Sequence, residues 1–411
     1  MSESFSAGNG LLSRRKLLQL GGGITAGGII ASVMANQPWM TRPGQAASVY
    51  GTPSSHAKLN REMVNSHTYG PEAGSSSTPL QALNGTITPN SLHFERHHSG
   101  IPDIDPEHHR LTIFGMVKQP KTFRYDSLLR YPMQTRILFL ECSGNSYINT
   151  LPKARDMTAG ELNGLVSCSE WTGIPLHHLF DEVGINQAAK WVIAEGADAS
   201  GNNRSVPLDL ALNDAMIATH QNGEPIRGAQ GYPFRLLMPG CEGNLSIKWL
   251  SSLKLVDKPA HTREETSTYT DLMADGSAAR FTLRMEVKSV ITSPSGKMTL
   301  PEKGVYEVTG LAWSGGGKIS MVEVSADGGR TWAEAELQSE SAPLRPVRFR
   351  IPWRWSGQSA VLQSRAHDVD GNIQPSREQA LKGQAAIPNY HYNGIQSWRI
   401  NNQGRVENVY A

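Results

Sequence analysis

A chain of 411 residues is long enough for two or three domains with full cores. With 38% hydrophobic and 18% charged residues it has the composition of an ordinary globular protein, which excludes a largely disordered chain. The net charge is +2 and becomes −1 once residues 1–46, with Arg14, Arg15, Lys16, Arg42 and Glu3, are set aside, so no basic surplus points to nucleic acid or a membrane surface. Three cysteines, Cys142, Cys168 and Cys241, are too few and the wrong number for a disulfide framework.

Residues 1–46 read as an export signal. Ser13-Arg14-Arg15-Lys16-Leu17-Leu18 is a twin-arginine pattern, followed by a weakly apolar run from Leu17 to Ala35. Gly21, Gly22, Gly23, Gly27 and Gly28 make that run a poor membrane anchor, and Gly44-Gln45-Ala46 offers small residues for cleavage before Ala47. The twin-arginine route exports proteins already folded, commonly with a cofactor inserted. The expected location is therefore the periplasm. Residues 47–90, rich in Ser, Gly, Asn and Pro, read as an extended arm or linker.

Leu111 to Gly115 is strand-like, and Asp126 to Arg130 suggests a short helix. Ile137 to Leu140 reads as a buried strand that ends at Cys142, where Ser143-Gly144-Asn145 turns the chain. A rigid strand thus delivers a thiol to a loop with free backbone N–H groups. A soft thiolate there suits a transition metal; a small buried hydrophobe is the alternative. From Trp171 the chain is expected to enter a helix ending near Gly184, with Cys168 a structural residue before it. Trp191 to Ala194 reads as a strand, Asp209 to Asp214 as a helix and Phe234 to Met238 as a second buried strand. That strand ends in Pro239-Gly240-Cys241-Glu242-Gly243-Asn244, so composition leaves open which of Cys142 and Cys241 is the ligand. His97 and His98, and likewise His108 and His109, could serve a metal or an anion, but zinc spacing is absent around all three cysteines.

Beyond about Arg280 short strands alternate with turn signals, as expected of an antiparallel sandwich. Ser325-Ala326-Asp327-Gly328-Gly329-Arg330-Thr331-Trp332 fits the S-x-D-x-G-x-T-W box of sialidase propellers, but a single copy reads as a hairpin. The resulting fold class is α+β: a mixed, strand-rich domain at 91–280 followed by an Ig-like antiparallel β-sandwich at 281–411.

Several segments, taken in order, resemble the sulfite oxidase family of molybdenum enzymes. They are Phe94-Glu95-Arg96-His97-His98, Cys142-Ser143-Gly144-Asn145, Trp171-Thr172-Gly173, Gly231-Tyr232-Pro233-Phe234-Arg235 and Lys248-Trp249-Leu250. Ala312 to Gly317, Val324 to Trp332 and Asn372 to Pro375 extend the likeness into the sandwich. The resemblance implies a molybdopterin domain with Cys142 as the protein ligand to molybdenum, carried on a single molybdopterin with dithiolene and oxo ligands. It implies that Phe94, Arg96, His97, His98, Asp198, Gln230, Arg235, Ser246, Ile247 and Lys248 hold the cofactor. Arg96, Tyr269 and Trp171 would face the substrate, with Trp171 as a pocket wall. The sandwich would be the dimerisation domain of a homodimer.

The departures matter as well. Where the family has an arginine shortly after the ligand cysteine, this chain has Ser146 and Tyr147, and the Tyr390-His391-Tyr392-Asn393-Gly394 region lacks another. Gln230 replaces a pterin-contacting histidine. No Cys-x-x-Cys-His run is present to attach a heme. These features resemble the sulfane dehydrogenase branch of bacterial thiosulfate-oxidising systems. The expectation is a persulfide on a carrier protein as substrate and a separate cytochrome c subunit as electron acceptor. Two alternatives stand beside it: a dehydrogenase of free sulfite, and a cofactor-free Ig-like binding protein, which metal analysis would separate.

Overall fold

A computed structural model of the chain describes residues 8–12, 38–65, 72–279, 282–383 and 390–411. Arg14, Arg15 and the run from Leu17 to Ala35 lie outside the described residues. Among the described residues, no helix is long and apolar enough to cross a membrane.

The cysteine strand runs Gln134–Glu141 and lies on an edge of a five-stranded antiparallel sheet. Its neighbour, Val166–Pro175, pairs with Met216–Gln221, which also pairs with Glu224–Pro225 and Arg235–Leu237. Side chains alternate across a strand, and here the two faces serve different cores. Leu138 and Leu140 join Phe94, Trp171 and Met216 beneath the pocket. Phe139 packs among sandwich residues such as Trp313 and Phe349, with Ile137 partly buried against the same cluster. The last four residues of the strand are buried on both faces, so the thiol that follows has little freedom to shift.

The second sheet is mixed. It runs Lys121–Arg124, Arg110–Gly115, Leu250–Val256, Trp191–Gly196, Asn203–Pro207, with Arg110–Gly115 parallel to Leu250–Val256. Helices Leu176–Val183 and Leu208–Asp214 cover it. In the first of these, Leu176, Leu179, Phe180 and Val183 recur at the spacing of one helical face, and all are buried. Pro175 ends the preceding strand, so the helix begins at Leu176. The expected start at Trp171 is wrong, because Trp171 to Gly173 are strand residues paired on both sides and Ile174 is paired with Ile217. Cys168 lies in the same strand.

The expected arm is only partly an arm. Residues 47–60 are exposed. Beyond them Glu62–Asn65 and Gly74–Ser77 form a three-stranded antiparallel sheet with Glu95–His97. Ser76, Ser77, Thr78 and Leu80 are buried. The sequence hid this because Gly-Ser-Ser-Ser carries no apolar alternation; backbone pairing and contacts with Gly164 hold it instead.

The C-terminal domain is a two-sheet antiparallel sandwich. One sheet runs Lys288–Ser293, Gly304–Trp313, Val347–Trp355, Glu336–Leu337; the other runs Ala333–Glu334, Ile319–Ser325, Ala360–Asp368, Ser397–Ile400, Val406–Val409. The hairpin expected at Ser325 to Trp332 is present, with Glu323 opposite Glu334. Asp327 closes its wide turn by accepting from Thr331 N at 3.0 Å and Thr331 Oγ1 at 2.6 Å. The sandwich core is continuous with Phe139, Ala159, Leu162, Val166 and Cys168 of the first domain. The two domains therefore share one apolar interior.

Candidate active site

Where the cysteine strand, the Glu95–His97 strand and the Gln230 to Trp249 segment meet, they enclose an open pocket of about 710 Å³. Phe94, Arg96, His97, His98, Cys142, Asp198, Gln230, Arg235, Ser246, Ile247, Lys248 and Tyr269 all line it. Residues separated by up to 175 positions in sequence are thus brought to one cavity. Glu95, Leu140, Asn202, Ala229, Gly243, Asn244 and Trp249 complete the lining.

The structure separates the three thiols. Cys142 is partly accessible and opens into the pocket. Its backbone N–H donates to Leu165 O at 2.9 Å, and its carbonyl accepts from Asn145 N at 2.9 Å. Gly243 lies against this turn: a Cβ there would come within 2.9 Å of Glu141 O, so the close approach requires glycine. Cys241 is buried in the core of the second sheet and Cys168 in the shared interior; burial pushes each thiol up to about 12. Burial also raises the Cys142 thiol, opposed by the Gly144 N–H and by Arg96. Loading a metal there would therefore release a proton. His108 is exposed and bonded to Asp105, and His109 is bonded to Leu250 O at 2.9 Å; neither reaches the pocket.

One group of side chains is built for an anion. Arg235 is 2% exposed and donates to Gln230 O at 3.0 Å and Ser246 O at 2.7 Å. Lys248 Nζ donates to Arg96 O at 3.0 Å and Ala229 O at 3.2 Å, and lies 2.8 Å from His97 Nδ1. Among the described residues, neither cation forms an ion pair. Burial lowers Arg235 to about 9, and burial with the neighbouring Arg235 charge lowers Lys248 to about 7. A buried Arg235 beside a half-buried Lys248, neither in an ion pair among the described residues, is costly unless an anion joins them. Burial and the adjacent Arg96 hold His98 at about 4, which leaves its ring neutral near pH 7. Burial disfavours ionised Glu95, yet His97 and Arg61 together keep it at about 2. Arg61, at the end of the exposed segment, thereby braces the pocket strand.

Near the thiol the balance of charge is different. Tyr269 is 6% exposed, and burial keeps its hydroxyl protonated well above the usual tyrosine range. Its ring lies 4.9 Å from the guanidinium carbon of Arg204 and 5.1 Å from the Tyr390 ring. Arg204 is fully buried between Glu242 at 3.7 Å and Glu265 at 3.5 Å. Nothing in the sequence marked Arg204 or its two carboxylates, which come from three separate segments. His391 Nδ1 lies 2.5 Å from Glu242 Oε1.

Two expectations need correction. Trp171 is fully buried and does not line the pocket; it lies beneath Arg235, whose guanidinium carbon is 5.5 Å from its ring. Tyr147 is 39% exposed and starts the short 3₁₀ turn Tyr147–Thr150, outside the lining. Only Ser146 of that pair points inward, and it does so away from the pocket, toward Lys288.

The residues fit a metal-bearing pterin. Among the described residues no three or more His, Cys, Asp or Glu side chains converge as a metal site. A metal at Cys142 would take its other ligands from a bound group, whose phosphate would meet Arg235 and Lys248. Such a fold and site define a molybdopterin-dependent oxidoreductase. Residues 98–264 match the oxidoreductase molybdopterin binding domain, and residues 279–396 match the Mo-co oxidoreductase dimerisation domain. The crystal structure of the sulfane dehydrogenase SoxCD from Paracoccus pantotrophus superposes with a TM-score of 0.90 and 40% identity, covering 94% of this chain and 100% of that one. Mitochondrial sulfite oxidase of Mus musculus is 29% identical over 323 residues, which is 72% of this chain and 59% of that protein. The NADH nitrate reductase of Ulva prolifera is 33% identical over 306 residues, 66% of this chain and 34% of that protein. The chain thus spans between a third and three fifths of these curated relatives. It belongs to the sulfite oxidase family of molybdenum enzymes, and its likeness to sulfane dehydrogenase covers nearly its whole length.

Proposed function

We propose that the protein oxidises a sulfane sulfur, presented as a persulfide on a carrier protein, and passes the electrons to a cytochrome c subunit. The proposal includes export to the periplasm by the twin-arginine route and a homodimer formed through the sandwich. The observation that carries it is the pocket itself. One accessible thiol shares a cavity with a buried Arg235 and a half-buried Lys248, neither in an ion pair among the described residues, in a chain 40% identical to a sulfane dehydrogenase.

When bound, the molybdenum cofactor supplies two-electron oxidation with oxygen drawn from water. Cys142 anchors the metal end. Arg235 and Lys248, with His97 held between Glu95 and Lys248, neutralise the phosphate end. Gln230 Nε2 donates to Phe94 O at 2.9 Å and so ties the Arg96 loop to the Arg235 strand. Asp198, Ser246 and Ile247 complete the cradle. Tyr269 remains a neutral O–H donor beside the thiol, and Arg96 is the cation that orients the reacting sulfur.

The charges around Cys142 favour a carrier-bound sulfane over sulfite. Arg96 acts on the thiol against two buried carboxylates, Glu141 and Glu242. Arg204 is already neutralised by Glu242 and Glu265. A small dianion depends on charge-assisted hydrogen bonds worth roughly 1.5–3 kcal/mol each, and few are on offer here. A persulfide on a polypeptide gains binding energy from the carrier. Purified protein should contain near-stoichiometric molybdenum and turn over carrier-bound persulfide with cytochrome c as acceptor. Equal or better turnover of free sulfite would make it a sulfite dehydrogenase. Absence of molybdenum would contradict both readings.

A further inference from the structure

The strand that delivers Cys142 turns its other face to the sandwich, and Glu141 is the last residue on that face. Glu141 is fully buried, yet both its oxygens are engaged. Oε1 accepts from Asn145 Nδ2 at 2.8 Å and from Lys288 Nζ at 3.1 Å, and Oε2 accepts from Trp313 Nε1 at 2.6 Å. Lys288 is 2% exposed and uses its remaining donors on Ser146 Oγ at 2.8 Å and Tyr392 O at 3.1 Å. Ser146, at a left-handed φ of 69°, donates in turn to Asn163 Oδ1 at 2.6 Å. The loop from Cys142 to Ser146 is therefore fastened on both sides of the thiol, and Lys288, Trp313 and Tyr392 all belong to the C-terminal domain.

A buried ion pair contributes little net stability, because desolvation offsets the attraction. Its particular contribution is geometry, since both oxygens of Glu141 and the Lys288 ammonium are held by several partners at once. The linkage also does not depend on the pocket lining: neither Lys288 nor Trp313 lines the pocket, and both meet Glu141 on the strand face turned toward the sandwich. Assembly of the sandwich alone would not require a charged pair aimed at this loop.

We infer that Lys288 and Trp313 are positioning residues for the reaction: through Glu141 and Ser146 they orient the Cys142 thiolate, so the sandwich is part of the active-site machinery as well as an assembly module. The inference rests on Cys142 being the metal ligand.

The test uses the molybdenum-loaded, full-length protein. Lys288→Met removes the charge while keeping much of the stem, and Trp313→Phe removes the N–H donor together with one ring of the indole. Each is compared with wild type for molybdenum content, melting temperature and the Mo(V) electron paramagnetic resonance spectrum. The expected result is an altered Mo(V) spectrum in both variants. Turnover per molybdenum should fall by roughly tenfold to a hundredfold in Lys288→Met, as for other misoriented metal ligands, with KM changed far less. A lower melting temperature with wild-type spectrum and wild-type turnover per molybdenum would overturn the inference, leaving a purely structural brace. If Lys288→Met does not accumulate as folded protein, Trp313→Phe decides by the same two readouts. Cys142→Ser is run alongside: a wild-type Mo(V) spectrum in that variant would remove the ligand assignment, and this inference with it.

Discussion

Cys142 and Cys241 both follow buried strands, yet only one opens into the pocket, and this difference sets what each substitution does. Cys142→Ser should reduce turnover at least about a hundredfold while leaving a folded protein, because a hard hydroxyl replaces the soft thiolate. Cys241→Ser should keep turnover near wild type and cost about 1–3 kcal/mol of stability, since its hydroxyl would be left in an apolar core. Activity and chemical denaturation measured on both variants check the pair. Lys248 gives a pH-dependent prediction. Its folded-state value is lowered from 10.5 to about 7, so between these values the unfolded chain binds more protons. Stability of the cofactor-free protein should therefore rise as pH increases from about 7 toward 10.5. An anion at the site favours the charged lysine, so cofactor retention should weaken over the same rise. Melting curves of cofactor-free protein and molybdenum content after dialysis, both across pH, test the two signs. Lys248→Met should flatten both trends.

Elements that carry a strong local pattern were legible in the sequence. Ile137 to Leu140 is a strand because four apolar residues are bounded by turn residues, and Leu208–Asp214 is a helix where Asp209 to Asp214 suggested one. The misread helix start at Trp171 came from reading Thr-Gly-Ile-Pro as an entry to a helix, when it is a strand end closed by Pro175. The strand Gly74–Ser77 was hidden because its register comes from backbone pairing with Glu95–His97. The apolar run Ile137 to Leu140 was visible; what each of its faces would meet was not, because Lys288 and Trp313 lie more than 140 residues away. Phe139 tests this element. It packs in the interior shared by both domains, so Phe139→Ala should cost about 3–5 kcal/mol. Calorimetry should show one transition moving to lower temperature. Two separated transitions, with only the first domain affected, would contradict a shared core.

At the scale of the whole molecule, the order of motifs made the family legible, but the electrostatics around the thiol were not. The loss of an arginine at Tyr147 was visible in the sequence, and its meaning changed once Tyr147 proved solvent-facing. Behind the pocket, Glu242 acts on the thiol and Arg204, held by Glu242 and Glu265, packs against Tyr269, and no motif marks any of the three. The proposed export belongs to this scale too. Changing Arg14 and Arg15 together to Lys should leave the loaded enzyme in the cytoplasm, because the twin-arginine route reads that pair as an address. Fractionation with molybdenum analysis checks it. The central claim is that this one pocket holds the molybdenum through Cys142, and X-ray absorption at the molybdenum edge tests it most directly. Wild-type protein should show a sulfur shell that loses one scatterer in Cys142→Ser and keeps its full complement in Cys241→Ser. An unchanged sulfur shell in Cys142→Ser would contradict the account.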